Sequence, residues 1–294
     1  MEQKENKTLY DAKSAGLSYS ALILSYVFLS LIIGLALDSF GLKVGIGRTA
    51  IISLVPILAL AGVTVIHAKL TRVRLTEVVS LKKFSPVYLI VAIMIAVGMF
   101  LGLGFINGLF ATLLEGWGAK LPASSIVITN VGEFVLFTFL VGLLPAFFEE
   151  IFFRGLMLGG LKRTGTIFSV LLVGLCFSLY HASLSQLIYQ FIYGVVLSYL
   201  TKKSGSVIPA MIAHFINNAL VLTLTFFFKM TDAVTTEYLI AIGILLLYGA
   251  FLILYFYRKN IDGIKPQKGE RKNALLFSIA GLAVCILIAV IGVI

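Results

Sequence analysis

The stretch "LPAFFEEIFFRGLM", residues 144–157, decides how this chain folds. It is apolar enough for a membrane-spanning helix, yet Glu149, Glu150 and Arg154 fall within it. A charged side chain deep in a bilayer costs several kcal/mol, roughly 2.5–3.5 for Asp or Arg on the lenient insertion scale, so three together demand a compensating arrangement. Spacing supplies part of it. Glu150 and Arg154 stand i to i+4, which puts them on one helical face where they can pair. Glu149 lies about 100° round the helix from Glu150 and is left without that partner. A purely structural pair that holds two helices together is the alternative for Glu150 and Arg154. Glu149 fits that role less well, because an unpaired carboxyl group in an apolar site is placed to trade protons as a general base does.

Outward from this stretch the whole chain is apolar. Of 294 residues 60% are hydrophobic and only 12% charged, and a mean hydropathy of +1.07 excludes the soluble class. Apolar runs near the roughly 20 residues that cross about 30 Å of hydrocarbon recur, giving spans at about 18–38, 47–68, 84–106, 131–160, 164–183, 184–201, 205–228, 237–257 and 274–293. The fourth is the least regular, since its uncharged part covers only 134–148. Alternating runs of period two, the mark of a membrane barrel, are absent. The expected fold is all-α, a polytopic transmembrane bundle of eight or nine helices forming a single integral membrane domain over 1–294. The polar and charged first 17 residues make 18–38 a retained anchor rather than a removable signal peptide.

A net charge of +10 and a pI near 9.6 raise the question of nucleic acid, and the placement of the charges answers it. With a cytoplasmic N-terminus and nine alternating spans, segments 1–17, 69–83, 162–163, 202–203 and 258–272 face inward and hold 18 of the 23 Lys and Arg residues. Lys43, Arg48, Lys120 and Lys229 fall outside, and Arg154 is the one base within a span. This is the positive-inside asymmetry, so lipid and not nucleic acid is the expected partner. The 258–272 loop also suits anionic headgroups. Cys176 and Cys285 lie in separate apolar segments and form neither a disulfide framework nor a zinc pattern. No repeat, low-complexity tract or phosphate loop interrupts the chain.

Two further motifs complete the polar inventory of the spans. In "FSLYHAS", residues 177–183, Phe177 and His181 stand i to i+4, and in "HFINNAL", residues 214–220, His214 and Asn218 do the same. Each histidine alone reads as a packed or interfacial residue. Together they form a hydrolytic kit, because imidazole exchanges protons near neutral pH and an asparagine amide donates to a developing oxyanion. His67 sits beside Lys69 at the edge of its span, where an interfacial role is expected. Trp117 and Pro122 lie in the 107–130 loop, where aromatic side chains anchor at headgroup level.

The order EExxxR, FxxxH, HxxxN, here Glu149-Glu150-Arg154, Phe177-His181 and His214-Asn218, resembles the CAAX protease and bacteriocin-processing family, also called the Abi family. The resemblance covers about residues 130–228. It implies an intramembrane peptidase in which Glu149 and His181 activate a water, His214 and Asn218 hold the scissile carbonyl oxygen, and Glu150, Arg154 and Phe177 support the site. The family includes the type II CAAX prenyl endopeptidase and many bacterial and archaeal members, so a peptide or lipidated-protein substrate and a prokaryotic plasma membrane are expected. Nothing in the chain specifies a prenyl group. On the favoured reading no cofactor is required. The alternative is a metalloprotease with zinc on Glu149, His181 and His214, a His₂Glu set, although the HExxH helix is absent. Two other functions compete: a proton-coupled transporter, for which no inverted repeat is found, and a non-catalytic bacteriocin-immunity protein on the same scaffold. One tension remains. Straight spans set His181 and His214 about 12 Å apart in depth, which tilt, a shifted boundary or a helix broken near Gly155 would have to close.

Overall fold

The computed structural model describes residues 10–121, 127–228, 237–257 and 265–292. Nine long helices and one single turn carry them, with no strand among the described residues. They are α1 (Ala12–Ser39), α2 (Ile46–Leu70), the short α3 (Leu75–Val78), α4 (Val87–Gly116) and α5 (Val131–Thr164), followed by α6 (Thr166–Tyr180), α7 (Leu187–Ser204), α8 (Ile208–Phe228), α9 (Glu237–Phe256) and α10 (Glu270–Ile291). Pro122, Lys4, Lys7, Lys229, the Arg258–Lys259 pair and the last residue of the 274–293 run lie outside the described residues.

Each apolar run becomes a helix, and the boundaries move for local reasons. Helix α1 begins ahead of residue 18 because the Asp11 carboxylate caps it, accepting from the Ser14 N–H at 2.9 Å. Seven of the nine long helices among the described residues are long and apolar enough to cross a membrane, so the chain is a multi-pass membrane protein. The expected spans 164–183 and 184–201 are the two that fall short. Helix α6 has 15 residues, about 22 Å, and the chain leaves it at His181, passing through Ala182 in a left-handed conformation (φ 48°) before α7. Helix α7 in turn closes on Lys202, Lys203 and Ser204. The two form a hairpin that crosses tightly at Gly174 and Gly194, where a Cβ on Gly194 would sit 2.9 Å from the Gly174 Cα.

Counting only the seven candidate crossings leaves the alternation of all later segments unchanged, because two adjacent ones are set aside. Hydrogen bonds tie described parts of the expected inner segments and their flanks in pairs, 80–88 with 203–207 and 163 with 267. Val207 N–H donates to the Ser80 carbonyl at 2.8 Å, Tyr88 Oη to the Lys203 carbonyl at 2.8 Å, and Gln267 N–H to the Arg163 carbonyl at 2.8 Å.

Helix α5 is continuous through Gly155 but not uniform. Two π-helical turns, Thr138–Leu143 and Ile151–Met157, flank an α-helical stretch Leu144–Glu150. Such turns rotate side chains out of the regular register and occur often at functional sites. Buried apolar residues form two cores, one built from α1, α2, α5, α6 and α10 and the other from α4, α7, α8 and α9. The charged stretch of α5 lies at the seam between them, where Phe177 of the first core and Tyr193 of the second both touch His214.

Candidate active site

The second π turn begins directly after Glu150 and carries Arg154. Arg154 Nη1 donates to Glu150 Oε1 at 2.7 Å, and neither side chain is exposed. The same oxygen lies 2.8 Å from His214 Nδ1, so helix α8 is tied to α5 through one carboxylate atom. Arg154 Nη2 reaches the Gly194 carbonyl at 3.1 Å, and its guanidinium lies over the Phe177 ring at 4.2 Å. Three helices thus hold one cation. A buried ion pair is tolerated when its remaining donors and faces are occupied in this way.

Glu149 has no such support. Its Oε2 is buried without a hydrogen-bond partner and faces His214 Nε2 at 3.9 Å, too far for a direct bond. His214 therefore stands between the two glutamates, with Nδ1 on Glu150 and Nε2 toward Glu149. His181 is fixed differently. Its Nδ1 lies 2.8 Å from the Phe177 carbonyl, an oxygen that can only accept, so Nδ1 carries the proton and the neutral ring presents Nε2 as an acceptor. The depth mismatch expected between the two histidines is bridged by Phe177, whose buried ring meets His181 at 4.8 Å and His214 at 5.7 Å between centroids. No break at Gly155 is needed.

Asn218 lies one turn beyond His214 and reaches back to α5. Pro145 has no N–H to give the carbonyl four residues before it, that of Val141, and Asn218 Nδ2 meets that oxygen at 3.4 Å. Asn218 thereby meets an oxygen that the proline leaves without its usual i+4 donor. The neighbouring Asn217 turns to α7, where it accepts from Tyr189 Oη at 2.7 Å.

Glu149, Glu150, Arg154, Phe177 and His214 form one cluster, with His181 against it and Asn218 at its edge. His67 packs edge-on against Tyr10 instead, at 5.6 Å. Sequence reasoning missed the Glu150–His214 bond, the Gly194 carbonyl and two tyrosines, Tyr180 and Tyr193, whose rings touch His181 and His214. Tyr180 was hinted at by its place next to His181, and nothing in the sequence hinted at Tyr193. Around the cluster, Glu149 Oε2, Glu150 Oε2, Arg154 Nε and both tyrosine hydroxyls are buried without partners. Among the described residues, no group of three or more His, Cys, Asp or Glu side chains is arranged to hold a metal ion. An apolar recess of about 170 Å³ lies one helical turn away, lined by Leu143, Ala146, Phe147, Met211, Ile212 and Phe215.

Residues 131–220 match the family described as Type II CAAX prenyl endopeptidase Rce1-like. The match runs from the start of α5 into α8, takes in every residue of the cluster and falls inside the 130–228 core expected from the motifs. No curated protein and no solved structure matches the chain. Over these residues the chain carries a domain of the Rce1-like CAAX protease family.

Proposed function

We propose that the chain is an intramembrane endopeptidase of the CAAX prenyl protease type, in which Glu149 activates a water for attack on a peptide bond. The observation that carries this reading is the unpartnered Glu149 Oε2, buried 3.9 Å from His214 Nε2. A separation of that length between two polar atoms is one that a bridging water or substrate oxygen spans.

In the reaction Glu149 takes a proton from water, with His181 Nε2 as a second acceptor, and the water oxygen bonds to the scissile carbonyl carbon. The carbonyl oxygen becomes negative and accepts from His214 Nε2–H, in the protonated ring, and from the Asn218 amide. Collapse breaks the C–N bond, and the proton held by Glu149 passes to the leaving amine. Glu150 and Arg154 do not touch the substrate. They fix His214 through the 2.8 Å and 2.7 Å contacts on one oxygen, so that Nε2 faces the reacting groups. No step passes through a metal ion. The apolar recess beside the site suits an apolar residue or lipid chain of the substrate. By the positive-inside rule we assign the N-terminus and the basic segments to the cytoplasmic side of the membrane, taken here as the plasma membrane of a prokaryote.

The test is cleavage of a quenched fluorescent peptide by the purified protein in liposomes, with prenylated and unprenylated arms and a chelator arm. The wild type is expected to cleave with and without chelator, and Glu149→Gln to lose about 10²-fold or more, as removal of a general base does. A Glu149→Gln protein that cleaves at the wild-type rate refutes the assignment. Solute flux without cleavage favours the transporter instead.

A further inference from the structure

Tyr189 and Tyr193 stand one turn apart on α7, both buried, and differ in one respect. Tyr189 Oη donates to Asn217 Oδ1 at 2.7 Å, whereas Tyr193, 1% exposed, has a hydroxyl with no hydrogen-bond partner. An unsatisfied buried hydroxyl weakens a fold, so by packing alone phenylalanine is the better residue at 193. The site gives the hydroxyl another use. The Tyr193 ring meets the His214 ring edge-on at 5.9 Å, and the next residue's carbonyl binds Arg154 Nη2 at 3.1 Å and Ser198 Oγ at 2.7 Å, which pins this turn of α7 against the charged cluster. Tyr180 also has an unpartnered hydroxyl, but its ring touches His181, whereas Tyr193 touches the histidine that faces Glu149. The Asn218 amide, meanwhile, already gives one hydrogen to the Val141 carbonyl.

We infer that Tyr193 is a further catalytic residue, its hydroxyl donating to the substrate's carbonyl oxygen as that oxygen becomes negative, beside His214. This rests on the hydrolytic reading above. A neutral phenol suits the task, since it donates without adding a charge to a membrane-buried site.

The experiment compares Tyr193→Phe with Tyr189→Phe in the full-length protein, measuring thermal unfolding and steady-state cleavage of a peptide that the wild type cuts. Tyr193→Phe is expected to keep or raise the Tm while kcat falls about 100-fold and KM stays within about twofold, the signature of a donor used only in the transition state. Tyr189→Phe is expected to lower the Tm, because Asn217 Oδ1 is left without its donor, and to change kcat of the folded protein by less than about threefold. Wild-type kcat in Tyr193→Phe, a rise in KM alone, or a Tm loss equal to that of Tyr189→Phe would each overturn the inference while leaving the peptidase standing. A wild type that cuts no peptide removes both together.

Discussion

Where α1 lies against α10, Ser20 Oγ donates to the Phe277 carbonyl at 2.7 Å and accepts from the Gly281 N–H at 3.2 Å, while Ser278 Oγ donates to the Ala274 carbonyl at 2.8 Å. In the cluster on α5, by contrast, Glu149 Oε2, Glu150 Oε2, Arg154 Nε, Tyr180 Oη and Tyr193 Oη find no partner. Both regions put polar groups inside an apolar bundle, where an unmet hydrogen bond cannot be made good by bulk water. The clasp between α1 and α10 uses short side chains that meet their needs at once, and it needs nothing further. The α5 cluster satisfies the atoms that hold it together, namely Glu150 Oε1, the two Arg154 terminal nitrogens and His214 Nδ1, and leaves others unmet, among them Glu149 Oε2 of the proposed general base. The polar groups of the clasp are closed within the fold, and those of the proposed site are left partly open.

Arg154 is where that comparison breaks most visibly. Arg154→Met strands the Glu150 carboxylate in an apolar seam and is expected to cost about 3–5 kcal/mol, the penalty for removing one partner of a buried pair. Adding Glu150→Gln should restore much of the stability, because the uncompensated charge goes with it, without restoring cleavage, because His214 Nδ1 has lost its carboxylate anchor. Chemical unfolding of the single and double variants beside their peptide cleavage reads both quantities. Cleavage restored with stability would show that the pair serves the fold alone.

Gly281→Val probes the other region. A Cβ at Gly281 would lie 3.0 Å from the Ser20 Cα, so α1 and α10 must part, at an expected cost of about 1–3 kcal/mol for overpacking. The folded fraction should cleave at the wild-type rate. A lower kcat per folded molecule would join the clasp to the site and undo the separation drawn between them.

How far each region was legible in sequence follows the same division. The helices were visible because long apolar runs report passage through hydrocarbon, and the motif residues stood out because charge and imidazole are rare in such runs. Glu150 and Arg154 could be paired from spacing, since i to i+4 is a local relation. The bond from Glu150 to His214 spans 64 residues and depends on how two helices are rotated, which composition does not encode. The π turns were equally hidden, because an i→i+5 ladder leaves no change in residue type. Pro145 marked a missing hydrogen bond, but not that Asn218 would reach the freed Val141 oxygen. The turn between α6 and α7 was legible, since the expected spans part at residues 183 and 184, and only its exact place, at His181 and Ala182, needed the backbone.

The smallest effect gives the finest test of the contrast. Ser20→Ala removes a hydroxyl that bridges the Phe277 carbonyl and the Gly281 N–H, two groups that stand i to i+4 on α10 and so are placed to bond each other as part of that helix. Nothing is stranded when the hydroxyl goes. Interhelical hydrogen bonds inside membranes average about 0.6 kcal/mol, because the separated helices also find partners, and the same is expected here. The contrast with Arg154→Met then lies in what stays behind: a closed helix in one case and a buried carboxylate without its arginine in the other. A Ser20→Ala loss above about 2 kcal/mol in chemical unfolding would mean that the clasp holds α1 and α10 by polar bonding more than by the close approach of small residues.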